Sequence, residues 1–326
     1  MKFSGAMTAI VTPMQGGQID EGGLNTLIRA QLAGGIQGLI VNGSTGEAAT
    51  LTDQEQQYVL RLVLERVAGS VPVVAGVGSR STHGAVSQAQ GAEAVGADAL
   101  LVVTPAYNKP TQAGLVAHFL AVAENTSLPI ILYNVPGRTG IDLLPETVAS
   151  LSSHPRIVGI KEATGSVLRC AQIRRLVPDD FALLSGDDFT VFPFVAQGGD
   201  GCISVASNII PRQMVDLVAG ARGDAPTAFA RARAQSLHLQ PLFDALFVES
   251  NPIPVKTAAA WLGLFPTSEL RLPLVPLTEK GGDTLLAALL GAGLSPRRGP
   301  VAASGLGPSS PLQLAAASAL TLDLSD

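Results

Sequence analysis

Eight short apolar runs, each followed by a stretch with helical spacing, constrain the fold of this chain more than any other feature. They are AMTAIV (6–11), GLIVN (38–42), PVVAGV (72–77), DALLVV (98–103), PIILY (129–133), RIVGI (156–160), FALLS (181–185) and GCISV (201–205). A strand whose two faces are both covered reads as a continuous apolar run, whereas a half-exposed strand alternates. Eight such runs over about 200 residues predict an α/β fold, a (β/α)₈ TIM barrel, in preference to an open doubly wound sheet, which pattern alone leaves open. The spacing predicts helices over 21–34, 53–67, 81–94, 112–125, 166–176 and 187–197. After Val205 the rhythm becomes mostly helical, over 211–246 and 254–264 and ending near Leu290. This divides the chain into a barrel over 1–210, a C-terminal helical region over 211–293, and a tail over 294–326. The tail is rich in Pro, Gly, Ser and Ala and is expected to be mobile.

Composition narrows the function. The 326 residues are 47% hydrophobic, enough for a large core. With 21 Lys+Arg against 26 Asp+Glu, the net charge is −5 and no basic run could track a phosphate backbone, so nucleic acid is not an expected partner. Mean hydropathy is +0.34, yet no uninterrupted apolar run approaches the roughly 20 residues of a membrane span. Cys170 and Cys202 make no disulfide framework, and the N-terminus lacks the features of a signal peptide. The expectation is a cytoplasmic protein with no membrane partner.

In a parallel barrel, chemistry collects where the strands end. The sixth run leads straight into Lys161. An amine leaving a dry strand end could attack a ketone as the neutral base, although the run alone favours a lysine that snorkels to solvent. The fifth run ends in Tyr133, on the neighbouring strand, where its hydroxyl could exchange protons with Lys161 or simply cap the core. Arg138 follows a Pro-Gly turn and suits a carboxylate, or else lies in an exposed loop. The second run opens into Asn42-Gly43-Ser44-Thr45-Gly46-Glu47, whose backbone N–H groups and hydroxyls could cradle a small anion or form an empty turn. The fourth ends near Tyr107, which on its own suggests packing. His83, His118, His154 and His238 fall in helices or before strands, so no metal cluster is expected at the mouth. Neither a phosphate-binding GxxxxGK[ST] loop nor a dinucleotide fingerprint is present, so no cofactor is expected.

The segments GSTGEAATL, TPAYNKPTQ, YNVPGRTG, GIKEATG, LLSGDD and NPIPVK, in that order, resemble the dihydrodipicolinate synthase family of pyruvate-dependent class I aldolases from about Phe3 to Leu294. The resemblance implies an imine between Lys161 and pyruvate, proton relay through Tyr133, and Ser44 where the family usually carries threonine. That exchange keeps the hydroxyl but frees its χ1. It also implies that Tyr107 reaches into a neighbouring subunit, making a dimer or a dimer of dimers. Substrate contacts fall to Thr45, Arg138, Ile203 and Gly186, with Arg138 engaging the carboxylate of aspartate-4-semialdehyde. The same imine serves relatives that cleave sialic acids or 2-keto-3-deoxy sugar acids, and a catalytically inert binding barrel is the alternative of another class. Many family members are inhibited by lysine. The matching positions here are Ala48, Asp53, Gln56, Arg80, Gly84 and Ala106, which lack the acid and the tyrosine that would hold the ligand's ammonium, so lysine inhibition is expected to be absent.

Overall fold

The computed structural model describes residues 2–223 and 225–297. Eight parallel strands close into a barrel: β1 (Gly5–Ala9), β2 (Leu39–Val41), β3 (Val73–Val77), β4 (Ala99–Val103), β5 (Ile130–Asn134), β6 (Ile157–Glu162), β7 (Ala182–Ser185) and β8 (Gly201–Ser204). Each strand pairs with its sequence neighbours, and β8 returns to β1 with Gly5 opposite Gly201 and Thr8 opposite Ser204. Strand residues alternate between two apolar layers. Met7, Ile40, Val74, Leu101, Ile131, Leu184 and Ile203 fill the interior, while Ala6, Leu39, Val41, Val73, Leu100, Leu132 and Leu183 meet the helices outside. This double burial is why the strands read as unbroken apolar runs.

Between the strands run α1 (Glu21–Ala33), α2 (Asp53–Val67), α3 (Thr82–Val95), α4 (Gln112–Glu124), α5 (Pro145–Leu151), α6 (Leu168–Arg174) and α7 (Val191–Ala196). Several start at side-chain caps: Asp20 for α1, Ser81 for α3 and Thr111 for α4. Thr52 and Glu55 form a reciprocal capping box at α2. The short α5 has no counterpart among the helices expected from spacing. Seven residues span too few turns to show a period, although Pro145 at its first position marks the start.

One predicted helix differs from what forms. The segment expected as a helix over 187–197 opens with a 3₁₀ turn, Asp188–Thr190, because the Asp188 carboxylate turns inward to accept Val205 N–H (3.0 Å) and Ala206 N–H (2.7 Å). The mostly helical stretch expected over 211–246 forms as two helices: α8 (Pro211–Arg222) and α9 (Pro226–Ala245), which starts with Pro226 at its first position. Helix α8 packs against β1 and completes the outer ring. Beyond it, α11 (Glu279–Gly291) packs on both α9 and α10 (Ile253–Trp261), and α9 packs on α8. Of the predicted tail, residues 298–326 lie outside those described.

The segment after α10 returns to the barrel mouth. Glu269 accepts the Gly16 and Gly17 N–H groups of the small hairpin Met14–Gln15/Gln18–Ile19. Arg271 grips Glu55 through both terminal nitrogens, at 2.7 and 2.6 Å, and this pair holds the Glu55 carboxyl down at about 2.

Candidate active site

Strand register brings the two central residues together. Tyr133 of β5 is the Cα partner of Lys161 of β6, and Asn134 is the partner of Glu162. Because side chains alternate faces, Tyr133 and Lys161 share the barrel interior while Asn134 and Glu162 share the opposite side. The outer pair fixes this register: Asn134 Nδ2 donates to Glu162 (3.0 Å) and to Asp142 (2.8 Å), and Leu143 N–H donates to Asn134 Oδ1. Arg169 neutralises Asp142 at 2.6 Å. Burial pushes the Glu162 carboxyl up, opposed by the donors Asn134 and Thr164.

Lys161 is only 5% exposed, so it does not snorkel. Its Nζ lies 4.4 Å from the centre of the Tyr133 ring. Gly186 leaves room beside it, since a Cβ there would stand 3.1 Å from Lys161 Cε and 2.5 Å from Ala163 Cβ. The surroundings are not simply apolar. Burial pushes the Asp187 carboxyl up to about 6, the Lys161 charge opposing the shift and Asp188 adding to it. Asp188 is also raised by burial, against its hydrogen bonds from Ser204, Ala206 and Val205. Neither aspartate is singled out as a site residue by the sequence reading; their position just past the seventh apolar run, after Gly186, was the available signal.

Above this layer opens a cavity of about 520 Å³. Ser44, Tyr133, Arg138, Asn251 and Pro252 are in its wall, and the Ala48, Gln56, Arg80 and Ala106 positions line another part of it. Lys161, Thr45, Gly186 and Ile203 are not in the cavity wall, and Lys161, Thr45 and Ile203 are buried. The loop from Asn42 to Glu47 crosses so close to β3 that a Cβ on Gly76 would meet Asn42 O at 2.2 Å, and only glycine fits there. Tyr107 is not part of its own chain's cavity. It is 86% exposed at φ +78°, with its backbone N–H tied to Thr139 O at 3.2 Å.

Asn251 and Lys256 were not expected at the site. Asn251 Nδ2 donates to Thr45 Oγ1 (3.0 Å), Arg138 Nη2 donates to Asn251 O (3.0 Å), and Lys256 forms a buried ion pair with Glu47 (2.5 Å). Among the described residues, no three of His, Cys, Asp or Glu gather where they could hold a metal ion.

The chain matches the Dihydrodipicolinate synthetase family over residues 2–291. It belongs to that family. A 4-hydroxy-tetrahydrodipicolinate synthase of Maridesulfovibrio salexigens is 50% identical over 298 residues, 90% of this chain and 100% of the relative. The crystal structure of dihydrodipicolinate synthase from Thermotoga maritima superposes with a TM-score of 0.88 at 43% identity, covering 90% of this chain and 100% of that one. A chloride-inhibited dihydrodipicolinate synthase from Acinetobacter baumannii, complexed with pyruvate, gives 0.86 at 41% identity over 90% and 99% of the two chains. These dihydrodipicolinate synthetase relatives share the closed eight-stranded barrel and its C-terminal helices. The family is one of lyases of the class I aldolase type that work without a metal cofactor.

Proposed function

We propose that this enzyme condenses pyruvate with L-aspartate-4-semialdehyde to give 4-hydroxy-tetrahydrodipicolinate, in the cytoplasm, as a step of lysine and diaminopimelate synthesis. The observation that carries the reading is Lys161 buried beside Tyr133, whose ring and Arg138 both line the cavity, in a chain 50% identical to a synthase of that name. Lys161 Nζ attacks C2 of pyruvate; loss of one water leaves an imine, with no other cofactor. The protonated imine accepts the electrons released when a methyl proton departs, giving an enamine. Tyr133 and Ser44 pass protons at this stage. The enamine carbon attacks the aldehyde, and the second substrate's own amine then displaces Lys161 and closes the ring. Thr45, Ile203 and Gly186 hold the pyruvate end, and Arg138 takes the carboxylate of the semialdehyde. Parallel turnover assays test the substrate choice: condensation with the semialdehyde is expected, and efficient cleavage of sialic or 2-keto-3-deoxy sugar acids without it would overturn the reading.

Tyr107 completes the relay from a neighbouring chain, so the working unit is a homo-oligomer, a dimer or a dimer of dimers. Its exposure in the single chain supports this. Tyr107→Phe is expected to lower kcat by roughly 10²-fold while borohydride still traps pyruvate on Lys161. A fully active monomer in sedimentation would contradict the shared site.

Lysine is expected not to inhibit. Gly84 and Ala106 offer its ammonium no acid or hydroxyl, and Arg80, in the cavity wall, adds a like charge. Steady-state rates should stay flat to low-millimolar lysine; marked inhibition there would show that another group holds the ammonium.

A further inference from the structure

The segment Asn251-Pro252-Ile253-Pro254-Val255-Lys256 has no role in the reaction described above, yet it holds the anion loop at two points. Lys256 fixes Glu47 through the buried ion pair. Asn251, 6% exposed, reaches Thr45 across 206 residues of sequence, with Nδ2 at 3.0 Å from Thr45 Oγ1. Its main-chain carbonyl accepts Arg138 Nη2 at 3.0 Å. One residue therefore touches both groups read as binding substrate carboxylates, through chemically separate atoms.

The direction of the Thr45 bond matters. A hydroxyl that accepts from an amide N–H has its own proton free to point elsewhere. Asn251 Nδ2 occupies one lone pair of Thr45 Oγ1, and the β-branched side chain has few rotamers left. We infer that Asn251 is a positioning residue that holds the Thr45 hydroxyl as a donor toward the pyruvate carboxylate, while its main chain sets the Arg138 guanidinium for the second substrate. This rests on the reading of Thr45 as a pyruvate contact.

The side-chain and main-chain roles separate in kinetics. Asn251→Ala removes the bond to Thr45 and keeps the carbonyl that Arg138 uses. KM for pyruvate is expected to rise by roughly 10-fold, the size of one hydrogen bond, with KM for the semialdehyde unchanged within about two-fold. Asn251→Asp, of equal size, replaces the donor with an acceptor and turns the Thr45 proton away; it should raise KM for pyruvate at least as much. Thr45→Val should raise it too, and adding Asn251→Ala to Thr45→Val should cost nothing further if Asn251 acts through that hydroxyl. Equal loss in both KM values, full multiplicativity in the double variant, or an unchanged pyruvate KM in both Asn251 variants would overturn the inference. A Thr45→Val enzyme with normal pyruvate KM would instead remove the reading of Thr45 on which it rests.

Discussion

Replacing Lys161 with methionine is expected to abolish the pyruvate adduct and to lower kcat/KM by at least roughly 10³-fold, about 4 kcal/mol of transition-state stabilisation at 1.36 kcal/mol per decade. Methionine keeps the length and volume of the stem but has no nucleophile. The test is the mass of the protein after pyruvate and borohydride. The only lysines are Lys2, Lys109, Lys161, Lys256 and Lys280, so peptide mapping assigns any adduct without ambiguity. An adduct persisting at another lysine with retained turnover would refute the imine assignment. Lys161→Arg, which keeps the charge but cannot form the imine, should be equally inactive.

The same pair of variants separates chemistry from electrostatics. The Lys161 charge restrains the upward shift of Asp187, which burial already pushes to about 6. An acid whose folded pKa exceeds its unfolded value binds its proton more tightly when folded, so stability falls as pH rises from about 3.8 to about 6. Without the lysine charge that window extends to higher pH. Lys161→Met should therefore lose more stability between pH 5 and about 8 than Lys161→Arg, read by thermal melting.

Lys256→Met is the substitution expected to harm stability most. Both Lys256 and Glu47 have fully buried side chains. Burial pushes the Lys256 ammonium down and Glu47 opposes the shift, so the pair holds its charges by mutual attraction. Removing one partner strands the other: Glu47 would keep only the Arg271 backbone N–H, at 3.3 Å. Breaking a buried pair in this way costs about 3–5 kcal/mol, a fall in Tm of roughly 5–8 °C for a chain of this size. Replacing both residues, Glu47→Gln with Lys256→Met, should recover much of the loss, since the larger part of the penalty is the unpaired charge. A single variant that melts within a degree of the parent would show that Glu47 finds other partners.

The barrel was legible because its cause is local. A strand covered on both faces must be apolar at every position, and eight such segments sit in the sequence in order. Lys161 and Tyr133 were legible for the related reason that a polar residue ending such a run stands at the mouth. The 3₁₀ turn at Asp188 was not, because it depends on Val205 and Ala206, 17 and 18 residues along the chain, whereas the start of α9 at Pro226 carried a local signal that helical spacing alone passes over. Asn251 was hidden most completely. Nothing near it in sequence indicates a hydrogen bond to a threonine of the second loop. Tyr107 is a middle case: its residues alone suggest packing, only the family resemblance implies a shared site, and in the structure it stands exposed.

The return of the chain from α10 to the barrel mouth also sets an order of assembly during synthesis. The eighth strand ends at Ser204, but Asn251, Lys256, Glu269 and Arg271, which fasten the loops over 16–17 and 45–55, are made later. At roughly 5–20 residues per second, a nascent barrel waits several seconds with those loops unfastened. During that interval Glu47 has no lysine to neutralise it and Thr45 no amide to orient it. A ribosome-bound chain halted after the last strand should therefore be proteolysed at the 42–52 loop, and become resistant only once residue 271 has emerged.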